Sequence, residues 1–432
     1  MNIQGISSDL FKDSAFNLLT RVVGLFFSYI VVIWITNNYG ASEFGMYTFG
    51  ITVLGIATLV PKIGLDQSLI RIMSELHANY KISDIVSSLW KVILLVLVLS
   101  ILTGSLLYFY SKVIAQIFDN QSYEFILKIV SYTIFPIVLI KILSATMQGM
   151  GKIRLFSIIS LILLPFIFFI TLQVNDLAIK DVQLLEIYSI SSYVAAIIGF
   201  LIVGKVLPLG SITKSRIYPI KRMIKISFPM MMAGSVMLIM TWTDILMLSY
   251  FSSDMNVGIF SAAQKVSFLA GMGLMVVNAH VAPKIAKFFV AGRHEELERL
   301  VHNASKLIIS ISFPILLLIF IFPEEIMEFF GKEFIVGSSV MMMLSIGQLI
   351  NVLCGPVGSI MQMTNNQTIF KNVVSLALIV NILLNYILIP VYGIEGAAIA
   401  SMTSMILWNI ILLVIIRIKM GFFTLFITFS KH

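Results

Sequence analysis

The chain has 432 residues, of which 59% are hydrophobic and only 12% are charged, and its mean hydropathy is +1.01. Soluble domains carry about twice that share of charge, so the composition excludes a water-soluble protein and indicates a polytopic α-helical membrane protein. The net charge of +8 comes from Lys and Arg between the apolar segments, and it does not indicate nucleic-acid binding.

Twelve apolar segments are long enough to cross a hydrocarbon core of about 30 Å. They lie, in chain order, at residues 14–37, 41–62, 86–110, 123–148, 153–174, 184–206, 223–251, 256–288, 299–322, 334–363, 367–390 and 394–418. The first segment follows a polar stretch and is too long for a cleavable signal peptide. The loops on one side are short, so no domain is expected outside the membrane on that side.

The positions of Lys and Arg predict the orientation of the spans. When the N-terminal arm, every second loop and the C-terminal tail are counted together, one side of the membrane holds 22 of these cations and the other holds 4. Because cytoplasmic loops carry the excess of Lys and Arg, both termini are expected in the cytoplasm. The same alternation supports an even number of spans.

No cofactor is expected. Cys354 is the single cysteine and lies in a predicted span, which excludes an intrachain disulfide and a thiolate metal site. The histidines lie far apart or in a charged loop, and no G-x-x-x-x-G-K-[ST] sequence for binding ATP phosphates occurs. We therefore expect neither a metal site nor ATP hydrolysis.

Two pairs of short sequences repeat at nearly the same spacing. Residues 43–47 match residues 256–260 at an offset of 213, and Met147-Gln148 matches Met361-Gln362 at an offset of 214. Six spans precede the basic stretch 208–222 and six follow it, so this spacing predicts a duplication.

The duplication predicts an N-terminal six-helix lobe over 1–207, a cytoplasmic linker over 208–222 and a C-terminal six-helix lobe over 223–432. Because each copy has an even number of spans, both copies enter the membrane from the same side. We expect them to be related by an axis along the membrane normal, with a central cavity between the lobes.

Four ionisable side chains fall inside predicted spans, namely Arg21, Lys141, Asp244 and Lys265. Charge at that depth is costly and therefore indicates a functional site. Three cations against one anion favour a cavity that binds something negative. None of the four has a charged counterpart at the repeat-related position, so the duplicated scaffold does not require them.

Each of these charges also has a simpler interpretation. Arg21 and Lys141 lie roughly 10 Å from the cytoplasmic ends of their spans at 1.5 Å per residue, and they either bind an anion or extend to the interface. Asp244 and Lys265 lie toward the outer ends of consecutive spans, where they act separately or pair. If they neutralise each other, Arg21 and Lys141 are left to bind a diphosphate.

Several motifs resemble one family of transporters. The run from Leu384 to Ala400 (Leu-Asn-Tyr-Ile-Leu-Ile-Pro-Val-Tyr-Gly-Ile-Glu-Gly-Ala-Ala-Ile-Ala) is similar to the polysaccharide-export branch of the multidrug, oligosaccharidyl-lipid and polysaccharide (MOP) exporter superfamily. Residues 39–47, 243–248, 330–334 and 355–358 resemble the same family. The resemblance covers essentially the whole chain, and within the family it is greatest to the Wzx O-antigen flippases.

This resemblance implies a transporter without enzymatic activity. It would flip polyprenyl-pyrophosphate-linked oligosaccharide repeat units to the outer face of the bacterial cytoplasmic (inner) membrane, for O-antigen, other lipopolysaccharide or capsule biosynthesis. The head group would enter the cationic cavity while the lipid tail stays in the bilayer, and rocking of the lobes would release it outside. The implied partners are the lipid-linked oligosaccharide, membrane lipids, a polysaccharide polymerase and a chain-length regulator.

Polar residues in the spans are candidates for two further roles. Asp244 is the candidate for binding a coupling ion, either a proton or sodium, and for gating. Side chains that contact the sugars, or that make ordinary hydrogen bonds between helices, are Asn17, Gln148, Gln264, Asn278, Gln348 and Gln362, with Ser28, Thr241, Asn351 and Asn381 in the same set.

Two other functions stay open. An ion-coupled multidrug antiporter of the same superfamily needs an acidic cavity for cationic drugs, whereas this set of charges is basic. A membrane-embedded polysaccharide polymerase needs a catalytic acid or base, and the carboxylates of the short outer loops show no convincing pairing.

Overall fold

The computed structural model describes residues 3–79, 82–178, 183–210 and 219–425, and every element in these ranges is a helix. The first half contains α1 (Ile3–Ala57), α2 (Leu59–Lys62), α3 (Leu65–Asn79), α4 (Ile82–Ile117), α5 (Ser122–Gly149), α6 (Ile153–Ser157), α7 (Leu163–Ala178) and α8 (Leu184–Val206). A π-helix over Ile158–Ile162 joins α6 to α7.

The second half follows the same all-helical pattern. It contains α9 (Ile220–Phe251), α10 (Asp254–Ala270), α11 (Met272–Val290), α12 (His294–Ile321), α13 (Pro323–Glu328), α14 (Ser338–Cys354), α15 (Val357–Met363) and α16 (Gln367–Met420). A 3-10 helix over Lys332–Gly337 precedes α14.

The helices account for a multi-pass membrane protein. Within the described ranges, eight helical segments are long and apolar enough to cross a membrane, and the pair α10 and α11, bent by 46°, makes a ninth. Helix α9 contributes a further apolar stretch, of which Leu238–Phe251 lies among the residues described in full. Two of the eight segments are far too long for one crossing.

Both long helices contain a break at a glycine. Helix α16 has 54 residues, which at 1.5 Å per residue is about 80 Å, against a hydrocarbon core of about 30 Å. Gly393 interrupts it with φ 57, and Gly40 interrupts α1 with φ 80. Only glycine adopts such angles without strain, so each long helix is two spans. With α9 included, the helices of the described ranges correspond to the twelve predicted spans.

One predicted span is longer than the helix that forms. The hydropathy pattern predicts a single span over 334–363, but α14 ends at Cys354 and a separate short helix, α15, follows. Gly355 has φ 71, and Pro356 has no backbone N–H to continue the helix. The apolar run therefore continues through a break that hydropathy does not detect.

The chain forms two compact units. The first comprises Met1–Ile35 and Phe49–Gly234, and the second comprises Thr36–Thr48 and Ser235–His432. The linker predicted at 208–222 falls mostly outside the described residues, because 211–218 are not described. Because Thr36–Thr48 belongs to the second unit, that unit includes a short piece of α1 around Gly40.

Two repeat-related glycines contact each other in the second unit. A Cβ atom on Gly45 would lie 1.8 Å from the carbonyl oxygen of Asp254, and one on Gly258 would lie 2.0 Å from that of Ala41. Helices α1 and α10 thus pack backbone against backbone, as small residues allow in membranes. The two sequences matched at an offset of 213 meet at this contact.

We predict that Gly45→Ala and Gly258→Ala each destabilise the protein. The added methyl group has no space, and overpacking of this kind costs about 1–3 kcal/mol. Thermal unfolding in detergent should show a lower midpoint for both variants. Gly210→Ala is the matched control, since nothing lies within 4 Å of a Cβ atom there. Unchanged midpoints for the first two variants would contradict the close contact.

Candidate functional site

A cavity of about 230 Å³, lined by both polar and apolar side chains, opens in the first unit. It is lined by Asp66, Lys141, Ser144, Ala145, Gln148, Phe156, Ser160 and Leu161. Two residues predicted for binding, Lys141 and Gln148, are therefore brought together in one cavity.

Helix α5 supplies one wall of the cavity. Four of the lining residues are spaced at intervals of three, one and three positions and therefore share one face of the helix, namely Lys141, Ser144, Ala145 and Gln148. Lys141 is exposed toward the cavity, whereas Ser144 and Ala145 are each only 3% exposed. The helix therefore presents one ammonium group and one amide from an otherwise packed surface.

The turn between α2 and α3 supplies a carboxylate. The chain reverses at Ile63 (φ 43) and Gly64 (φ 73), which places Asp66 in the first turn of α3. Asp66 forms a salt bridge of 3.4 Å with Lys62. No counter-charge for Lys141 is predicted within the spans of the first lobe, but Asp66 lines the same cavity.

The π-helix supplies a hydroxyl group with no partner. Ser160 and Leu161 lie in the π-helix Ile158–Ile162 and line the cavity. The Oγ atom of Ser160 is buried and has no hydrogen-bond partner among the described residues. A π-turn inside a membrane helix often marks a functional site, and an unsatisfied buried hydroxyl calls for a ligand or water.

Arg21 lies near this cavity along α1 but is not one of the residues that line it. The Arg21 side chain is half-buried. Gly24, three residues further along α1, packs closely on the π-helix: a Cβ atom there would lie 2.6 Å from the carbonyl oxygen of Leu161. The side chain of Asn17, another predicted residue, lies outside the described part of the structure.

A buried carboxylate forms the centre of a polar cluster in the second unit. Asp244 is 2% exposed. Its Oδ1 accepts hydrogen bonds from the Nδ2 atoms of Asn381 (3.0 Å) and Asn385 (2.8 Å), and its Oδ2 accepts one from the Ser401 hydroxyl. These described donors are neutral groups, and none of them is Lys265.

The break in α16 positions these donors. Asn381 and Asn385 lie one turn apart before Gly393, and Ser401 follows it, so both arms of the helix reach Asp244. The Oδ1 atom of Asn385 is buried without a hydrogen-bond partner among the described residues. The cluster thus offers carboxylate, amide and hydroxyl oxygens, which are the ligands of a proton or a small hard cation.

The other predicted residues of the second unit lie in different surroundings. Gln264 and Gln348 are buried, with exposed fractions of 9% and 4%, and the Gln348 Oε1 accepts a hydrogen bond of 3.3 Å from Asn351. Lys265 and Asn278 are half-buried, and Gln362 is exposed. No described cavity brings these residues together.

Lys141, Gln148 and Asp244 were predicted from the sequence, whereas Asp66 and Ser160, which line the same cavity as Lys141 and Gln148, were not. Asp66 lies outside the predicted spans and was not among the predicted residues, although it follows Lys62 by four residues, a spacing at which oppositely charged side chains often pair. Nothing in the sequence around Ser160 distinguishes a π-helix from an ordinary span.

Two protein families match the chain. The family described as "polysaccharide biosynthesis protein" matches residues 10–289, and the MatE family matches residues 229–387. The first match covers more than half of the chain.

Two archaeal proteins are similar in sequence. A probable low-salt glycan biosynthesis flippase, Agl15 of Haloferax volcanii, is 24% identical over 165 residues, which are 38% of this chain and 35% of that protein. An uncharacterized membrane protein of Methanocaldococcus jannaschii is 22% identical over 92% of this chain and 82% of its own length. The chain therefore matches about a third of the length of the flippase.

Solved structures share the fold. A multidrug resistance MATE family transporter of the MOP superfamily, in an inward-facing conformation, has a TM-score of 0.76 at 12% identity and covers 92% of this chain and 95% of its own. The lipid II flippase MurJ, in an inward closed conformation, has a TM-score of 0.70 at 18% identity, covering 94% of this chain and 87% of its own.

These matches confirm the prediction of a transporter. The chain belongs to the polysaccharide biosynthesis protein family and is a membrane transporter of the MOP superfamily.

Proposed function

We propose that the chain is a flippase that moves polyprenyl-pyrophosphate-linked oligosaccharide repeat units from the cytoplasmic to the outer face of the membrane. The observation that carries this proposal is the cavity of the first unit, where Lys141 and Gln148 lie on one helix face. An ammonium group suits a phosphate, and amide and hydroxyl groups suit sugars. The similarity to a probable glycan biosynthesis flippase supports the same substrate class.

The spacing of the two side chains fits the order of groups in such a substrate. Lys141 and Gln148 are seven residues apart, or about 10 Å along the helix axis. In the predicted orientation Gln148 lies nearer the cytoplasm. A head group entering from that side would place its diphosphate, which is closest to the lipid, at Lys141 and its first sugar at Gln148.

The cavity lowers the cost of moving this head group through the bilayer. A diphosphate and several sugars lose their water when they enter hydrocarbon, and unpaired charge there is very unfavourable. Fixed polar groups replace the lost water. Ser160, whose hydroxyl has no described partner, is a further donor for a phosphoryl or sugar oxygen.

The remaining predicted contacts belong to the same proposal. Arg21 and Lys265 are proposed as additional cations for the anionic head group. Contacts to the sugars are proposed for Asn17, Gln264, Asn278, Gln348 and Gln362. We also propose a cytoplasmic-membrane location with both termini inside, and a role in O-antigen or capsule biosynthesis before a polymerase and its chain-length regulator act.

The Asp244 cluster is proposed as the site of the coupling ion. Asp244 is buried in the second unit with two amides and a hydroxyl group, and the Oδ1 of Asn385 lacks a described donor. A proton or sodium ion bound there would neutralise the carboxylate and pair with that oxygen. Binding and release of the ion would then change the packing of the two arms of α16.

A multidrug antiporter is the second candidate, because MATE transporters share the fold and Asp66 adds an acidic group to the cavity. Expression in a strain lacking its own efflux pumps separates the two functions. The flippase predicts no gain in drug resistance, whereas increased resistance to cationic drugs would favour the antiporter.

We predict that Lys141→Ala abolishes flipping of a lipid-linked repeat unit in proteoliposomes. A charge-assisted hydrogen bond is worth about 1.5–3 kcal/mol, so the head group should bind at least about tenfold more weakly. Lys141→Arg keeps the charge and should retain partial activity.

Lys128→Ala is the matched control for Lys141→Ala. Lys128 lies on the same helix and pairs with Glu124 at 2.6 Å, so its loss should leave flipping unchanged. If Lys141→Ala inserts and folds normally and keeps full activity, the head group does not bind in this cavity.

We predict that Asp244→Asn uncouples transport from the ion gradient. The amide cannot be charged and so cannot exchange a proton or sodium ion for the substrate. Flipping should be compared in proteoliposomes with and without proton and sodium gradients. Glu124→Gln, which removes a carboxylate paired with Lys128, should keep the response of the native protein. If flipping is unchanged both by removal of the gradients and by Asp244→Asn, Asp244 does not bind the coupling ion.

A further inference from the structure

The cavity proposed to bind the diphosphate also contains a carboxylate, which is unexpected for an anion-binding site. Asp66 lines the same cavity as Lys141. A carboxylate repels a diphosphate and weakens its binding, so its presence opposes the proposed function unless it acts when the cavity is empty.

The substrate-free cavity has an electrostatic requirement of its own. Lys141 lies inside a membrane span, and a cation there without a counter-charge is strongly destabilising. Lys62 adds a second cation through its salt bridge of 3.4 Å to Asp66. Both Lys62 and Asp66 are near enough to act electrostatically on Lys141. One carboxylate therefore partly balances two ammonium groups.

The backbone holds Asp66 in a position where its carboxylate can balance part of this positive charge. The turn at Ile63 and Gly64 starts α3, and Asp66 lies in its first turn, where the helix dipole favours an anion. Helix α3 is fixed against α5, since a Cβ atom on Gly149 would lie 2.7 Å from the carbonyl oxygen of Ile70. The backbone of Asp66 is thus held beside the cavity, so only its side chain has to give way when a ligand binds.

We propose that Asp66 is a built-in counter-ion for Lys62 and Lys141, which the diphosphate of the substrate displaces on binding and which reclaims both cations on release. This inference rests on the proposed function, because it assumes that the cavity receives a diphosphate. A diphosphate carries more negative charge than one carboxylate, so it competes successfully for the two ammonium groups. After the head group leaves, the Asp66 carboxylate again partly balances the two ammonium groups of the empty cavity.

The displacement has opposite effects on binding and on turnover. Without the competing carboxylate, the diphosphate should bind more tightly. It should also leave more slowly, since nothing takes its place at the cations. A residue that only supports the fold would lower binding and turnover together.

Binding of inorganic pyrophosphate to the purified full-length chain in detergent tests this by titration calorimetry. Asp66→Asn removes the charge and keeps the shape, and an ion pair that solvent still reaches is worth up to about 1 kcal/mol. The expected result is about fivefold tighter binding. Asp66→Glu should bind as the native chain does, and Asp66→Ser is a second neutral variant if Asp66→Asn unfolds.

Flipping in proteoliposomes supplies the second measurement. Asp66→Asn should show a lower KM for the lipid-linked substrate together with a lower kcat. Equal changes with a lowered unfolding temperature would assign Asp66 a structural role and overturn the inference.

The outcomes separate the two proposals. If Lys141→Ala abolishes pyrophosphate binding but Asp66→Asn binds no more tightly than the native chain, Asp66 is not the displaced counter-ion and the head-group site stands. If neither the native chain nor the neutral Asp66 variants bind pyrophosphate, the head-group site itself fails, and the inference fails with it.

Discussion

The absence of water in the hydrocarbon core is the constraint on which the rest of this structure depends. Each backbone group must find its partner within the same segment, so every described element is a helix. Positions that depart from the α-helix, among them Gly40, the π-helix and Gly393, are then costly and need local compensation. Each of them lies next to a close backbone contact or a polar cluster.

The same constraint explains how charge is treated in the two units. In the second unit, Asp244 is enclosed by neutral donors that leave it no contact with solvent. In the first unit, Lys141 faces a cavity that also contains a carboxylate. The first arrangement suits a small ion that must be dehydrated to bind, and the second suits a larger ligand that brings its own charge.

The sequence predicts the spans well because hydropathy adds up along a contiguous segment and needs no tertiary contact. It fails at 334–363, where Gly355 and Pro356 break the helix inside an apolar run. For the site, a rare cation within a span identifies Lys141. Asp66 was missed because it lies at the end of a span among other charges. For Asn381 the sequence left open a sugar contact or a hydrogen bond between helices, because its partner Asp244 lies 137 positions away in the chain.

The π-helix over Ile158–Ile162 has a consequence for how relatives of this chain diverge. It contains one residue more than an α-helical turn would need. Deletion of a single residue there would restore a regular helix and rotate one end against the other by about 100°, which would turn Ser160 away from the cavity while the wall formed by α5 stayed in place. The lining of the cavity can therefore change through an insertion or a deletion within a span, a change that appears in an alignment as a gap and not as a substitution.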